Sequence, residues 1–138
     1  MYMYGLNYIE EDTMENGERM SVLHVETSIP WEKYSGRIRR VEVQSGFKAI
    51  GTQAFANCPN LSDVRLPEGL ETIGESAFSG CRSLKSIRLP ESLKKIDTFA
   101  FSASGLESVT VPEGIESVCD VFVHCKNLKN VALPSSLA

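Results

Sequence analysis

Two successive stretches of the chain spell nearly the same thing. Residues 50–72 read IGTQAFANCPNLSDVRLPEGLET and residues 73–95 read IGESAFSGCRSLKSIRLPESLKK, a period of 23 residues. A third copy at 96–117 is one residue shorter, a fourth at 118–138 is shorter again, and a half copy, IRRVEVQSGFKA, occupies 38–49. A fixed period in this range constrains the fold more than any other feature. Each copy is one supersecondary unit that cannot bury its apolar face alone, so the copies must stack.

The recurring apolar positions say which side chains face inward. One ladder is Ile38, Leu61, Leu84, Leu106 and Leu128; a second is Val41, Val64, Ile87, Val109 and Val131; a third is Val43, Leu66, Leu89, Val111 and Leu133. Their L-x-x-V-x-L spacing ends in alternation, which predicts a short strand with one buried face. Pro67, Pro90, Pro112 and Pro134 then remove a backbone donor and stop the strand. The chain turns there and re-enters the core at Phe47, Leu70, Leu93, Ile115 and Leu137, at Ile50, Ile73, Ile96 and Val118, and at Phe55, Phe78, Phe101 and Phe122. Each copy is one coil of a solenoid.

The string L-x-x-V-x-L-P-x-x-L-x-x-I-G-x-x-A-F-x-x-C closely resembles the BspA-like leucine-rich repeats over residues 38–138. The preceding NGERMSVLHVETSIPWEKYSGRIRRVEV, with its Pro30-Trp31 pair, resembles the lead-in before the opening coil of such proteins. The resemblance implies a mostly β solenoid: a curved right-handed coil, a parallel concave sheet, and short turns or 3-10 segments on the convex side. It also implies display on a cell surface or secretion, adhesion to host or bacterial proteins, and no catalytic residues. The third copy departs from the pattern where Ser104 or Ala103 takes the cysteine position, and the fourth where Val123-His124 replaces the usual small pair. Local distortion is expected at both places.

Two ends need covering. Residues 1–37 are expected to form a capping β-hairpin and lead-in on the repeat domain at 38–138, the two making one structural unit. Asn16-Gly17 accepts positive φ at both positions and supplies the hairpin turn. Tyr2, Tyr4, Tyr8, Trp31 and Tyr34 are expected to help close that end. At the other end the chain stops at PSSLA, with Leu128, Val131 and Leu133 uncovered. Continuation of the natural protein, or a homodimer through this end, would cover them.

Charge and chemistry narrow the function. A net charge of −4 and a pI near 5.2 provide no pull toward phosphate backbones or anionic lipid, so neither nucleic acid nor membrane insertion is expected. MYMYGLNYIEED lacks the basic and apolar regions of a secretory signal, so a cytoplasmic location stays open beside the surface one. Cys58, Cys81 and Cys125 share one repeat position and read as small buried free thiols. Cys119, His124 and Cys125 are three candidate ligands without a fourth, and the adjacent His124 and Cys125 side chains diverge; His24 is stranded in the cap. No metal, cofactor or catalytic site is expected. Gly51, Gly74, Gly69 and Gly114 read as turn chemistry, and Glu68, Glu91 and Glu113 as a solvated column that confers solubility.

The leading function is a non-catalytic protein-binding module, used in adhesion or surface recognition through the concave sheet. Its outward strand residues are Arg40, Glu42, Asp63, Arg65, Ser86, Arg88, Ser108, Thr110, Asn130 and Ala132, grading from charged to small and neutral. An acidic partner would meet Arg65 and Arg88. Phe99 stands where Gln53 and Ser76 stand in earlier copies, which makes it a candidate exposed anchor on the convex side. Packing into the shortened third coil is the alternative, and the missing residue favours it. The competing function is a structural spacer or self-assembly unit acting through the solenoid ends.

Overall fold

The computed structural model describes residues 7–13, 19–25, 36, 38–43 and 45–137. Strands β1 (Asn7–Thr13) and β2 (Arg19–Val25) pair antiparallel, Asn7 opposite Val25 and Thr13 opposite Arg19. The turn at residues 15–18, Tyr2, Tyr4, Trp31 and Tyr34 lie outside the described residues. β2 lies against β3 (Arg40–Glu42), where the repeats begin.

The repeats coil as their spacing requires. β3 pairs parallel with β5 (Asp63–Arg65), Arg40 beside Asp63. A second parallel seam joins β4 (Ala49–Ile50), β6 (Thr72–Ile73) and β7 (Lys95–Ile96). β8 (Ser108–Thr110) pairs parallel with β9 (Asn130–Ala132). Inter-coil partners stand 23 residues apart in the early copies and 22 apart between β8 and β9, which is the repeat length written in space.

The strand face is not one continuous sheet. Residues 86–88 form no strand, so the ladder is broken between the β3–β5 and β8–β9 pairs. Ser86 and Arg88 face solvent, and water can satisfy backbone groups there at little cost. Ile87 between them is still buried and keeps its place in the apolar ladder.

Opposite the strand face, each coil makes a tight turn, and no helix occurs among the described residues. Along this turn alternate N–H groups point to the next coil. Gln53, Phe55 and Asn57 donate to the carbonyls of Glu75, Ala77 and Ser79 at 2.7–2.8 Å. Ser76, Phe78 and Gly80 donate to Thr98, Ala100 and Ser102, and Phe99, Phe101 and Ala103 to Asp120, Val121 and Val123. The first and last donor of each triplet has a positive φ, between 55° and 78°. Left-handed residues stand at both ends of each triplet of outward donors, and the hydrogen bonds offset the cost of that conformation at residues other than glycine. The intervening N–H groups close turns within the coil, as Ala54 does to Gly51 and Ala77 to Gly74.

The core lies between these seams. Phe55, Phe78 and Phe101 are fully buried and stack at ring-centroid distances of 5.4 Å, with Phe122 6.0 Å beyond. The ladder residues pack around them until the last coil. There Phe122 and Leu128 are half-buried, Val131 is 38% exposed and Leu133 54% exposed.

Two features correct the sequence reading. Gly74 is not a turn glycine: a β-carbon there would stand 2.8 Å from the Gly51 carbonyl carbon and the Ile50 oxygen, so its place is fixed by coil-to-coil contact. Gly69 and Gly114, both at φ 101°, are turn glycines, and each donates its N–H to a serine of the next coil. Gly69 binds Ser92 Oγ at 2.8 Å, and that hydroxyl donates to Leu70 O at 2.7 Å; Gly114, Ser136 and Ile115 repeat the arrangement at 3.0 and 2.9 Å. The distortion expected in the third coil falls just after the cysteine column, at Gly105, rather than within it. Ser104, rather than Ala103, occupies it, and the inter-coil bonds continue through Ala103 to Val123.

Phe78 has a stacked ring on each side. Phe78→Ala is expected to lower unfolding stability by about 3–5 kcal/mol in urea titrations, the range for removing a fully packed aromatic. A loss under about 1 kcal/mol would show that the ring stack contributes little.

Candidate partner-binding face

The strand-face residues fall into two groups. At the β3–β5 end, Arg40 Nε lies 2.8 Å from Asp63 Oδ2, and Arg65 Nη2 lies 3.6 Å from the same oxygen. One carboxylate thus ties two guanidinium groups, beside the half-buried Glu42. Partly exposed pairs of this kind add little stability, but they leave the surface locally neutral. Arg65 is therefore not the free cation that its sequence position suggested.

At the other end the structure brings five residues together. Ser86, Arg88, Ser108, Thr110 and Asn130 line one open cleft of about 450 Å³, with Glu91, Pro112 and Ala132 beside them and Ile87, Leu89 and Val109 in its wall. The alternation of β8 makes this arrangement: Val109 is buried, so Ser108 and Thr110 on either side must face out. The interruption at residues 86–88 leaves the backbone there outside any ladder. Arg88 has no ion-pair partner among the described residues, so the cleft offers a guanidinium fork beside hydroxyl and amide groups.

Phe99 is 40% exposed at φ 60°. It does not fill the space left by the missing residue, contrary to the packing alternative. Its N–H is the first donor of its turn triplet, bound to Asp120 O at 3.0 Å, at a repeat position that is left-handed in every coil from Gln53 to Asp120.

The cysteine column is structural. Cys81 donates to Phe55 O at 3.2 Å and Cys125 to Phe101 O at 2.9 Å, and Ser104 Oγ lies 3.5 Å from Cys125 Sγ. All four cysteines are free thiols. Burial pushes the Cys58 thiol up to about 12; for Cys81, burial and then the neighbouring Cys58 push it higher still. The thiolate is the reactive form, so both are inert at neutral pH, whereas Cys119 is exposed. Among the described residues, no group of three His, Cys, Asp or Glu could hold a metal ion, and no helix is long and apolar enough to cross a membrane.

Glu113 does more than solvate the surface. Its carboxylate accepts from the Ser135 N–H at 2.9 Å and the Ser135 hydroxyl at 2.9 Å, clamping one coil's turn to the next. These bonds, the hydroxyl's first, hold the Glu113 carboxyl below its ordinary range. Sequence reasoning missed this clamp and the Ser92 and Ser136 bridges. The available signal was the alternation Pro-Glu-Gly, Pro-Glu-Ser, Pro-Glu-Gly, Pro-Ser-Ser down the turn.

With a thiol-specific reagent at neutral pH, Cys119 is expected to be labelled quickly in the native protein, and Cys58 and Cys81 only on unfolding. Peptide mapping by mass spectrometry reads this directly. Native labelling of Cys81 as fast as Cys119 would contradict the packed column.

With this geometry established, comparison with known proteins places the chain. The model of the BspA type leucine rich repeat region matches residues 33–138 in 6 copies. Among solved structures, the chain is similar to a leucine-rich repeat protein from Bacteroides ovatus, at 28% identity and a TM-score of 0.72 over 94% of this chain and 40% of that one. It is similar to the pneumococcal vaccine antigen PcpA at 28% identity and a TM-score of 0.64, over 73% of this chain and 26% of that one. A leucine rich cell surface protein from Faecalibacterium prausnitzii shares the fold at 23% identity and a TM-score of 0.59, over 96% of this chain and 39% of that one. The chain thus spans less than half the length of each of these three. No curated protein matches it in sequence.

Proposed function

The chain belongs to the BspA-type leucine-rich repeat family, and from that premise we propose that it is a protein-binding module acting through its strand face, in adhesion or surface recognition. Family membership supports a protein-interaction module, and no enzymatic family is indicated. The observation that carries the site assignment is the convergence of Ser86, Arg88, Ser108, Thr110 and Asn130 on one cleft. Arg40, Glu42, Asp63 and Arg65 balance in charge at the far end of the same face, with both arginines tied to Asp63. Arg88 then anchors a partner's acidic or carbonyl group, while the hydroxyl and amide groups set orientation. The β1–β2 pair, lying against β3, is proposed as the cap that shields the first coil. A surface location is supported by the relative described as a cell surface protein.

A second reading rests on Val131 and Leu133. They are exposed on or beside β9, which pairs only with β8 among the described residues. Such an edge suits self-association, in which the solenoid acts as a spacer or assembly unit. Light scattering across a wide concentration range separates the readings: a constant monomer mass removes the second.

The first reading is tested by placing a photo-crosslinking residue at Thr110 and, as a control, at Lys94 on another face. In intact cells of the source organism with its surroundings, Thr110 is expected to capture a discrete protein. Arg88→Glu is expected to reduce that capture about tenfold or more, the scale of one charge-assisted hydrogen bond. Equal capture from both positions, insensitive to Arg88, would remove the strand face as the site. Protease treatment of the same cells, beside a cytoplasmic control protein, tests location: cleavage places the module outside, and protection removes the surface assignment.

A further inference from the structure

The third copy is one residue shorter than the two before it, and the shortening leaves a mark on the surface. After the column of Cys58, Cys81, Ser104 and Cys125, the other coils use two residues before the inward leucine, whereas the third has only Gly105 before Leu106. Gly105 donates to Cys81 O at 3.0 Å, which draws it against the Arg82 carbonyl so closely that a β-carbon would overlap it. The third coil therefore presents no side chain at Gly105. A cleft of about 490 Å³ opens there between its neighbours, floored by Ala103, Ser104 and Gly105, with Arg82 contributed by the coil before and His124, Lys126 and Asn127 by the coil after.

Among the described residues, no carboxylate lines this cleft. Elsewhere Arg40, Lys48, Arg65, Lys85, Lys94 and Lys95 are all ion-paired. Arg82 and Lys126 have no ion-pair partner among the described residues, and both are exposed. Two unneutralised cations flank one hollow in a chain of net charge −4, where like charges across a gap repel. We propose that this cleft is a second binding site, which seats the carboxylate of an Asp or Glu side chain presented by a protein partner. The Arg82 guanidinium fork matches a carboxylate in two-point contact, and Lys126 and Asn127 supply further donors. The Ala103–Gly105 floor takes the short methylene arm that an acidic side chain brings with it. This rests on the protein-binding reading, but the site shares no residue with the strand-face cleft.

The test is a ¹⁵N amide-shift titration of the full chain with acetyl-Gly-Glu-Gly-amide at fixed ionic strength. Acetyl-Gly-Gln-Gly-amide and sodium sulfate are titrated in parallel. The glutamate peptide is expected to shift Gly105, Lys126 and Asn127 with a saturating curve, and the glutamine peptide to leave them in place. Arg82→Gln with Lys126→Gln should weaken the effect about tenfold or more, while Arg88→Gln should leave it unchanged. Shifts spread without saturation over all exposed cations, Arg39 and Lys129 included, would overturn the proposal. So would saturation by sulfate equal to that by the glutamate peptide, since the site would then recognise any anion. Loss of capture at Thr110 with these shifts intact would remove the strand-face site alone, and the converse would remove this one.

Discussion

Everything in this molecule depends on the backbone hydrogen bonds that join one coil to the next. A single copy cannot close its own surface, because alternate turn donors have no acceptor inside the coil. In the coil at 73–95, Ser76, Phe78 and Gly80 donate outward to the next coil, whereas Ala77 and Ser79 bond inward. The left-handed conformation of the outer donors is costly for Gln53, Asn57 or Phe99 in isolation. In these coils the neighbouring coil accepts what the donors offer, which offsets that cost. The ring stack and the apolar ladders fill the space these seams enclose, so hydrogen bonding sets the spacing and apolar burial supplies the driving force.

The surface follows from that frame. Where the strand face keeps its ladder and its charges pair, between β3 and β5, it is locally neutral. Where the ladder lapses at residues 86–88, a cleft forms between small polar side chains and an arginine with no ion-pair partner among the described residues. Where a residue is missing from the third coil, a second cleft forms beside Gly105. Both are departures from strict repetition, and in a stack of near-identical coils such departures are what distinguish one stretch of surface from the next.

The sequence made the coil, its period and its inward residues legible, since each is a matter of spacing. Phe55, Phe78 and Phe101 could be placed in the core from their recurrence alone. Three things were not legible. The break in the strand ladder leaves Ile87 in register and so makes no change in the apolar pattern. The role of Gly74 looks like turn chemistry until the neighbouring coil is present, because the contact is with Gly51, a full period away. Pairing of Arg40 and Arg65 with Asp63 depends on side-chain reach across coils, which residue spacing does not report. Phe99 shows the limit from the other direction: its repeat position correctly indicated the outward side, and the deletion nearby suggested the opposite.

Native-state hydrogen exchange tests the central claim most directly. If coil-to-coil bonds hold the fold, the amides of Phe55, Asn57, Ser76, Phe78, Gly80 and Phe101 will be strongly protected and will open with a common free energy, because releasing one seam exposes its neighbours. Exchange of these amides at the rate of an unstructured chain, with protection confined to turn donors such as Ala54 and Ala77, would contradict it and show that each coil stands by itself.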